Sequence, residues 1–195
     1  MESLVFAMNA DNTVIDHARA LLGTRLVGHD ASVVITEVEA YAGVDDPASH
    51  AFTRTKRSEI MYGEPWRLYV YRIHTHFCAN IVTGPTEQAA AVLIRAGRVV
   101  DGVRVAQERR GSVDDVQLAR GPGNLTKALG INLDDLGTDL HDPTPVYLDA
   151  GVESIPDAGI SAGPRVGVRL AAQRPWRFWI TDDPTVSAYR RHPKA

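Results

Sequence analysis

The chain of 195 residues has one cysteine, Cys78. That excludes an internal disulfide and any zinc site built on cysteines. Long hydrophobic runs are also missing: none approaches the ~20 apolar residues that cross a bilayer. Met1 to Ala10 lacks a basic stretch and carries Glu2, so no secretory leader is expected. Positive charge is the minority: 21 Lys and Arg stand against 24 Asp and Glu, a net charge of −3. A protein that simply coats nucleic acid would be basic, and this one is not. Apolar residues make up 44% and charged residues 23% of the chain, enough for a sizeable core. The expectation is a single intracellular domain spanning residues 1–195, with no membrane partner.

Charge is unevenly distributed. Ala158 to Thr181 holds no acid but contains Arg165, Arg169, Arg174 and Arg177. Arg54, Lys56 and Arg57 form a second basic cluster, with Arg67 and Arg72 close behind. Acids gather at Asp114-Asp115, from Asp134 to Asp142, and at Asp182-Asp183. The acid-free arginine segment predicts a basic face.

Periodicity predicts a first helix capped by Asn12 or Asp11, with Val14, Ala18, Leu21 and Leu22 on one stripe and Gly23 at its end. A hairpin follows, Arg25 to Gly28 with Ser32 to Tyr41. Gly43 to Thr55 reads as a loop. Leu68 to Ile73 and Phe77 to Thr83 read as strands around a His74-Thr75-His76 tip. Ala91 to Val100 is a further strand, with Arg95 inside it. Asp101 to Arg110 and Asp114 to Arg120 read as helices. Gly121 to Asn124 is a turn, and Leu125 to Leu129 a short helix. Val146 to Asp149, Arg165 to Leu170 and Arg177 to Ile180 are late strands. Short strands outnumber helices. This predicts an α+β fold: a curved, mostly antiparallel sheet flanked by helices.

The strand Ser32 to Tyr41 carries the most chemical information. Alternation puts Val33, Ile35, Glu37, Glu39 and Tyr41 on one side. The two acids are either solvated on an open sheet face or placed beside a cleft, where one could act as a general base. Arg95 and Asn80 interrupt strands that otherwise read as buried. A buried arginine needs a carboxylate, for which Glu39 is a candidate, and a buried asparagine needs partners that a ligand can supply. Three polar residues on neighbouring strands suggest a pocket.

These residues resemble the alkyladenine (3-methyladenine) DNA glycosylase family, over about Asp11 to Ser187. The likeness rests on ordered blocks: Thr36 to Tyr41, Ala48 to Ala51, Thr55 to Met61, Leu68 to Tyr71 and Phe77 to Val82. It continues through Val92 to Ala96, Ala119 to Gly130, Arg165 to Val168 and Arg174 to Phe178. The resemblance implies hydrolysis of the N-glycosidic bond of an alkylated or deaminated purine flipped out of double-stranded DNA. It implies Glu39 as general base, with Arg95 and the Val166 carbonyl helping to hold the water. It implies a base pocket of Tyr41, His50 and Tyr71, with Asn80 at its floor. Arg54, Lys56, Arg57, Asn124, Lys127 and Arg177 would meet the DNA backbone, where the Gly121 to Lys127 helix start suits phosphate. No metal or other cofactor is implied. A monomer working in the cytoplasm, at the DNA of a bacterial-type cell, is expected.

One segment departs from the family. Its wedge hairpin usually carries tyrosine followed by glycine. Here the tip is Tyr71-Arg72-Ile73-His74-Thr75-His76, one residue shorter and with neither feature at the wedge position. Ile73 and His74 are the wedge candidates, since aliphatic side chains also part base steps. The altered hairpin leaves a second reading, a non-catalytic module that binds damaged DNA. A helix-hairpin-helix glycosylase built on Gly121-Pro122-Gly123 fits the strand-rich pattern poorly. A small-molecule hydrolase with a glutamate base remains an alternative on residue chemistry alone.

Overall fold

Thr13 caps the first helix. In the computed structural model, which describes residues 13–149 and 154–195, Asp11 and Asn12 lie outside the described residues. The Thr13 hydroxyl accepts from the Asp16 amide at 3.3 Å, and the Asp16 carboxylate accepts from the Thr13 amide at 2.9 Å. This reciprocal pair satisfies two helix-end donors. Helix α1 (Val14–Leu21) then lays Ala18 and Leu21 into the core, with Leu22 just beyond its end.

Among the described residues eight strands form one antiparallel sheet: β1 (Arg25–Val27), β2 (Ser32–Tyr41), β3 (Leu68–Ile73), β4 (His76–Val82), β5 (Ala91–Asp101), β6 (Tyr147–Asp149), β7 (Ile160–Gly163) and β8 (Arg177–Ile180). The order is β3-β4-β5-β2-β1-β6, and β8 joins β2 beyond β1, with β7 outside it. Strand β2 is the hub. It has β5 along one edge, while its other edge pairs with β1 through residues 32–34 and with β8 through residues 37–39. Helix α1 packs on β2. Helix α2 (Val103–Arg110) packs on α3 (Pro122–Leu129), and α3 covers β4 and β5. The expected α+β class, with helices flanking a curled antiparallel sheet, is what the structure has. No helix among the described residues is long and apolar enough to cross a membrane.

The hub strand is not regular, and its irregularity builds the site. Between Ile35 and Glu37 the pairing advances two residues on β2 but only one on β5, so Thr36 is an extra residue. Between Glu37 and Val38 the opposite happens, and Arg95 is the extra residue on β5. Bulges re-aim side chains. Val33 and Ile35 enter the core before the bulge, and Val38 and Ala40 enter it afterwards. The expected common face of Val33, Ile35, Glu37, Glu39 and Tyr41 is therefore wrong: the two acids and the tyrosine lie opposite the apolar pair. Nor are the acids solvated, since Glu37 and Glu39 are both 0% exposed.

Other segments depart from expectation as well. Residues Arg165 to Leu170 form a turn, not a strand, with Gly167 at φ +70°. Asp114 to Arg120 holds only a single 3-10 turn, Asp115–Gln117. Asp101 ends β5, and Gly102, at φ +66°, swings the chain into α2. Helix α3 begins at Pro122, so the expected turn is its first turn, with proline where no amide is needed.

Candidate active site

Strands β2, β3, β4 and β5 and the turn after β7 enclose a cavity of about 280 Å³. That is near the lower bound of the ~300–1,000 Å³ typical of small-molecule pockets, so it suits one compact ligand. Glu39, Tyr41, His50, Tyr71, Ile73, Asn80, Arg95 and Val166 all line it. The structure thus brings together every catalytic and base-pocket candidate and one of the two wedge candidates.

The two acids of β2 have different surroundings. Glu37 is saturated. Its Oε1 accepts from Arg95 Nε at 2.9 Å, Arg177 Nε at 2.7 Å and Ser187 Oγ at 2.9 Å; its Oε2 accepts from the Ser187 amide at 2.6 Å. Glu39 has fewer partners and borders the cavity. Its Oε1 accepts from the Val166 amide at 2.7 Å and its Oε2 from the Tyr41 hydroxyl at 2.8 Å. Arg95 Nη1 stands 3.4 Å from Glu39 Oε1. Burial acts against the Arg95 charge, but the charges of Glu39 and Glu37 outweigh it and hold the guanidinium protonated above its usual range. Burial, followed by the Glu39 charge, raises Tyr41 well above the usual phenol range, so its hydroxyl stays a donor. Glu39 is a fixed, ionisable acceptor with lone pairs left for a ligand or water.

Glu39 is a partner of Arg95 as expected, and Glu37 holds the guanidinium more closely. The Val166 amide also reaches Glu39, a contact separate from the carbonyl expected to face the water. A carboxylate that receives an amide at one oxygen and a phenol at the other is oriented before any substrate arrives.

The aromatic wall comes from β3. Tyr69 and Tyr71 are two residues apart on one strand face, and their rings lie 5.6 Å apart. His50 meets Tyr71 edge-on at 4.6 Å, and its Nδ1 is 3.0 Å from the Tyr69 hydroxyl. His50 keeps an outer edge open at the cavity mouth, yet desolvation, aided by the Arg57 charge, lowers it to about 4. Asn80 is 4% exposed, and its amide donates to the Tyr69 carbonyl at 3.0 Å. Tyr69 was not among the candidates, although its spacing from Tyr71 was a visible signal.

The loops that close the cavity are tied by one buried ion pair. Arg165 donates to both oxygens of Asp46, at 2.5 and 2.9 Å, and to the Ala40 carbonyl at 2.9 Å. Both side chains are 0% exposed, and the guanidinium lies over the Tyr41 ring at 4.6 Å. The pair joins the loop that carries His50 to the turn that carries Val166. Nothing in the sequence pointed to it, because 119 residues separate the partners.

The backbone-contact candidates scatter. Arg177 is 4% exposed and committed to Glu37 and the Ser187 carbonyl, so it is no surface cation. Arg54 is shared between Glu59 at 2.6 Å and Glu87 at 2.5 Å and lies on the Tyr62 ring. Arg57 sits 5.0 Å over Tyr71, at the cavity mouth. Lys56 and Lys127 are exposed. Asn124 lines a second cleft of about 460 Å³, which shares Arg95, Pro122 and Val166 with the cavity and is walled by Arg120 and Arg190. His74 lies outside the cavity lining. It caps the β3–β4 hairpin at φ +51°, and Ile73 beside it is 48% exposed.

Related chains match over nearly the whole length. The methylpurine-DNA glycosylase family profile matches residues 8–184. A protein of Nocardia farcinica is 51% identical over 187 residues, covering 91% of this chain and 88% of that one. One of Mycobacterium tuberculosis is 48% identical over 200 residues, covering 96% and 97%. One of Mycobacterium leprae is 45% identical over 205 residues, covering 98% and 93%. All three bear the name "Putative 3-methyladenine DNA glycosylase". Every residue assigned to the cavity falls inside the matched span, and the chain belongs to the methylpurine-DNA glycosylase family.

Proposed function

We propose that this DNA glycosylase releases alkylated or deaminated purines of the 3-methyladenine, hypoxanthine and ethenoadenine class from double-stranded DNA, starting base excision repair. The observation that carries the reading is Glu39: oriented by the Val166 amide and Tyr41, and open on its remaining side to an aromatic cavity sized for one base. The target bond is inaccessible in the stack, so the nucleotide is flipped into that cavity. Tyr41 and Tyr71 flank the base, and stacking of this kind is worth ~1–3 kcal/mol per base. A methylated purine is electron-poor and often cationic. A π-rich pocket with a neutral His50 attracts it without charge repulsion. Asn80, fixed by the Tyr69 carbonyl, stands at the purine 2-position and disfavours guanine.

The C1′–N bond breaks with its electron pair leaving on the base. Positive charge grows on the sugar and is stabilised by the Glu39 carboxylate. Water adds to C1′ and gives its proton to Glu39. Arg95 keeps the carboxylate in place and helps hold the water. The products are a free base and an abasic site, so the enzyme is monofunctional. Ile73 or His74 at the hairpin tip fills the gap in the duplex. Lys56, Arg57, Asn124 and Lys127 meet phosphates. The chain acts inside the cell as a monomer.

The test is single-turnover base release, scored as alkali-labile sites. The substrates are duplexes carrying one hypoxanthine or one ethenoadenine, and a methylated duplex. Wild type is expected to release base from at least one, and Glu39→Gln to lose release while still binding. Lesion-selective binding without release from any substrate would replace this reading with that of a non-catalytic damage binder.

A further inference from the structure

The C-terminal segment from Thr185 onward lies outside the part of the chain that the family profile matches, which ends at residue 184. In the fold it is not peripheral. It lines the neighbouring cleft and makes hydrogen bonds to groups that hold Glu39. Ser187 is the centre of this contact. Its amide donates to Glu37 Oε2 at 2.6 Å and its hydroxyl to Glu37 Oε1 at 2.9 Å. The same hydroxyl accepts from Arg95 Nη2 at 3.2 Å. Its carbonyl accepts from Arg177 Nη2 at 2.7 Å. On either side, the Val186 carbonyl accepts from Arg120 Nε at 2.7 Å, and the Arg190 carbonyl accepts from the Gly167 amide at 2.9 Å.

Those contacts define a chain of orientation. Arg95 uses its Nε on Glu37 and its Nη2 on Ser187, which leaves Nη1 as the edge turned to Glu39. A guanidinium is planar, so fixing two of its nitrogens fixes the third. Val166, next to Gly167, supplies the amide on the other side of the same Glu39 oxygen. The tail therefore positions both neighbours of Glu39 Oε1 while contributing no residue to the lining of the cavity.

We propose that the segment Val186–Arg190 is a positioning element of the active site, with Ser187 as the residue that sets the Arg95 guanidinium toward Glu39. This rests on Glu39 acting as the water-activating base. Ser187 is a positioning residue, and removing its hydroxyl lowers the rate of the chemical step without weakening the grip on lesion DNA. Misplacing a catalytic group by ~1 Å costs up to about a hundredfold in rate, so the expected loss lies between about tenfold and a hundredfold.

The experiment measures single-turnover base release at saturating enzyme, together with the lesion-DNA dissociation constant, for the full chain, Ser187→Ala, Ser187→Thr and Glu39→Gln. Expected are a slowed chemical step in Ser187→Ala with an unchanged dissociation constant, and recovery in Ser187→Thr, which keeps the hydroxyl. Thermal unfolding of Ser187→Ala separates a positioning effect from a failure to fold, because Ser187→Thr restores rate only if the hydroxyl itself matters. If Glu39→Gln loses release while Ser187→Ala keeps the wild-type rate, the tail proposal falls and the base assignment stands. Full release by Glu39→Gln overturns both. A Ser187→Ala variant that loses DNA affinity as much as rate, or a slow variant not recovered by threonine, also overturns the proposal.

Discussion

Glu37 and Glu39 are two residues apart and equally buried, yet exchanging each for glutamine should have opposite consequences. Glu37 neutralises two guanidiniums that are themselves buried, Arg95 at 7% and Arg177 at 4% exposure. Three donors converge on its Oε1 and one on its Oε2. Glutamine in its better orientation keeps a carbonyl at the Oε1 position but turns an NH₂ group toward the Ser187 amide, and it removes the charge. Breaking a buried pair by deleting one partner costs ~3–5 kcal/mol, and the retained carbonyl places Glu37→Gln at the lower end, ~3 kcal/mol. In a chain of this size each kcal/mol moves Tm by ~2–4 °C, so the midpoint should fall by ~6–12 °C. Glu39→Gln is different. Its amide can still accept from Val166 and can donate to the Tyr41 oxygen, and Arg95 is 3.4 Å away. Its cost should stay below ~1 kcal/mol, a shift within ~4 °C, while base release is lost. Thermal unfolding followed by circular dichroism, paired with single-turnover release, reads both quantities. Equal melting shifts for the two variants, or an unshifted Glu37→Gln, would refute the division between anchoring and reacting carboxylate.

His50 is lowered to about 4 from its ordinary 6.5, so the folded protein favours the neutral ring. Its contribution to stability is present above the unfolded value and is lost as pH falls from 6.5 toward 4. A proton NMR titration should place its midpoint near 4, with release rates free of a His50-dependent limb between pH 5 and 8. A midpoint near ~6.5 would remove the neutral-pocket argument. Ile73→Ala should slow release from duplex DNA but leave release from single-stranded DNA of the same sequence unchanged, and equal slowing on both would exclude a wedge role. Gly167 sits at φ +70°, with open space where a Cβ would go. Gly167→Ala therefore strains the backbone, by ~1–2 kcal/mol, and should shift the Val166 amide off Glu39. Release should slow at constant DNA affinity, and an unchanged rate would separate that turn from catalysis.

Much of this architecture was legible because strand alternation and turn residues act locally. The β3–β4 hairpin, the long β5 and the first helix stand within a residue or two of where periodicity puts them. The errors at the site share one physical origin: they depend on contacts between distant segments. The face of β2 was misread because Thr36 and Arg95 are extra residues in a pairing that no single strand encodes. Arg165 to Leu170 has the alternation of a strand, but the Arg165 bond to Asp46 and the positive φ of Gly167 hold it as a turn. Arg177 looked like a surface cation because its acid partner lies 140 residues away. Glu39, Asn80 and Arg95 were recoverable from polar residues within apolar strands, and Tyr41, His50 and Tyr71 from the family resemblance, whereas Ser187 had no such mark.

The charge balance that argued against a nucleic-acid partner also looks different in three dimensions. Arg165 and Arg177 make the acid-free stretch look basic, yet both are interior and neutralised by Asp46 and Glu37. Arg54 is balanced at the surface by Glu59 and Glu87. Some of the clustered acids are likewise engaged: Asp135 lies 2.9 Å from His29, and Asp139 lies 2.9 Å from Arg67. What a phosphate backbone meets is set by the cations near the two clefts. Arg57 stands at the cavity mouth on one side, and Arg120 and Arg190 wall the neighbouring cleft on the other. Exposed charges separated by more than ~8 Å are largely screened at physiological salt, so these local cations count for more than the sum over the chain. A net charge of −3 and a DNA substrate are compatible because much of the arginine is scaffold. Of the cations that remain outside, Arg57, Arg120 and Arg190 lie beside the clefts lined by Glu39 and Arg95, where the proposed reaction needs them.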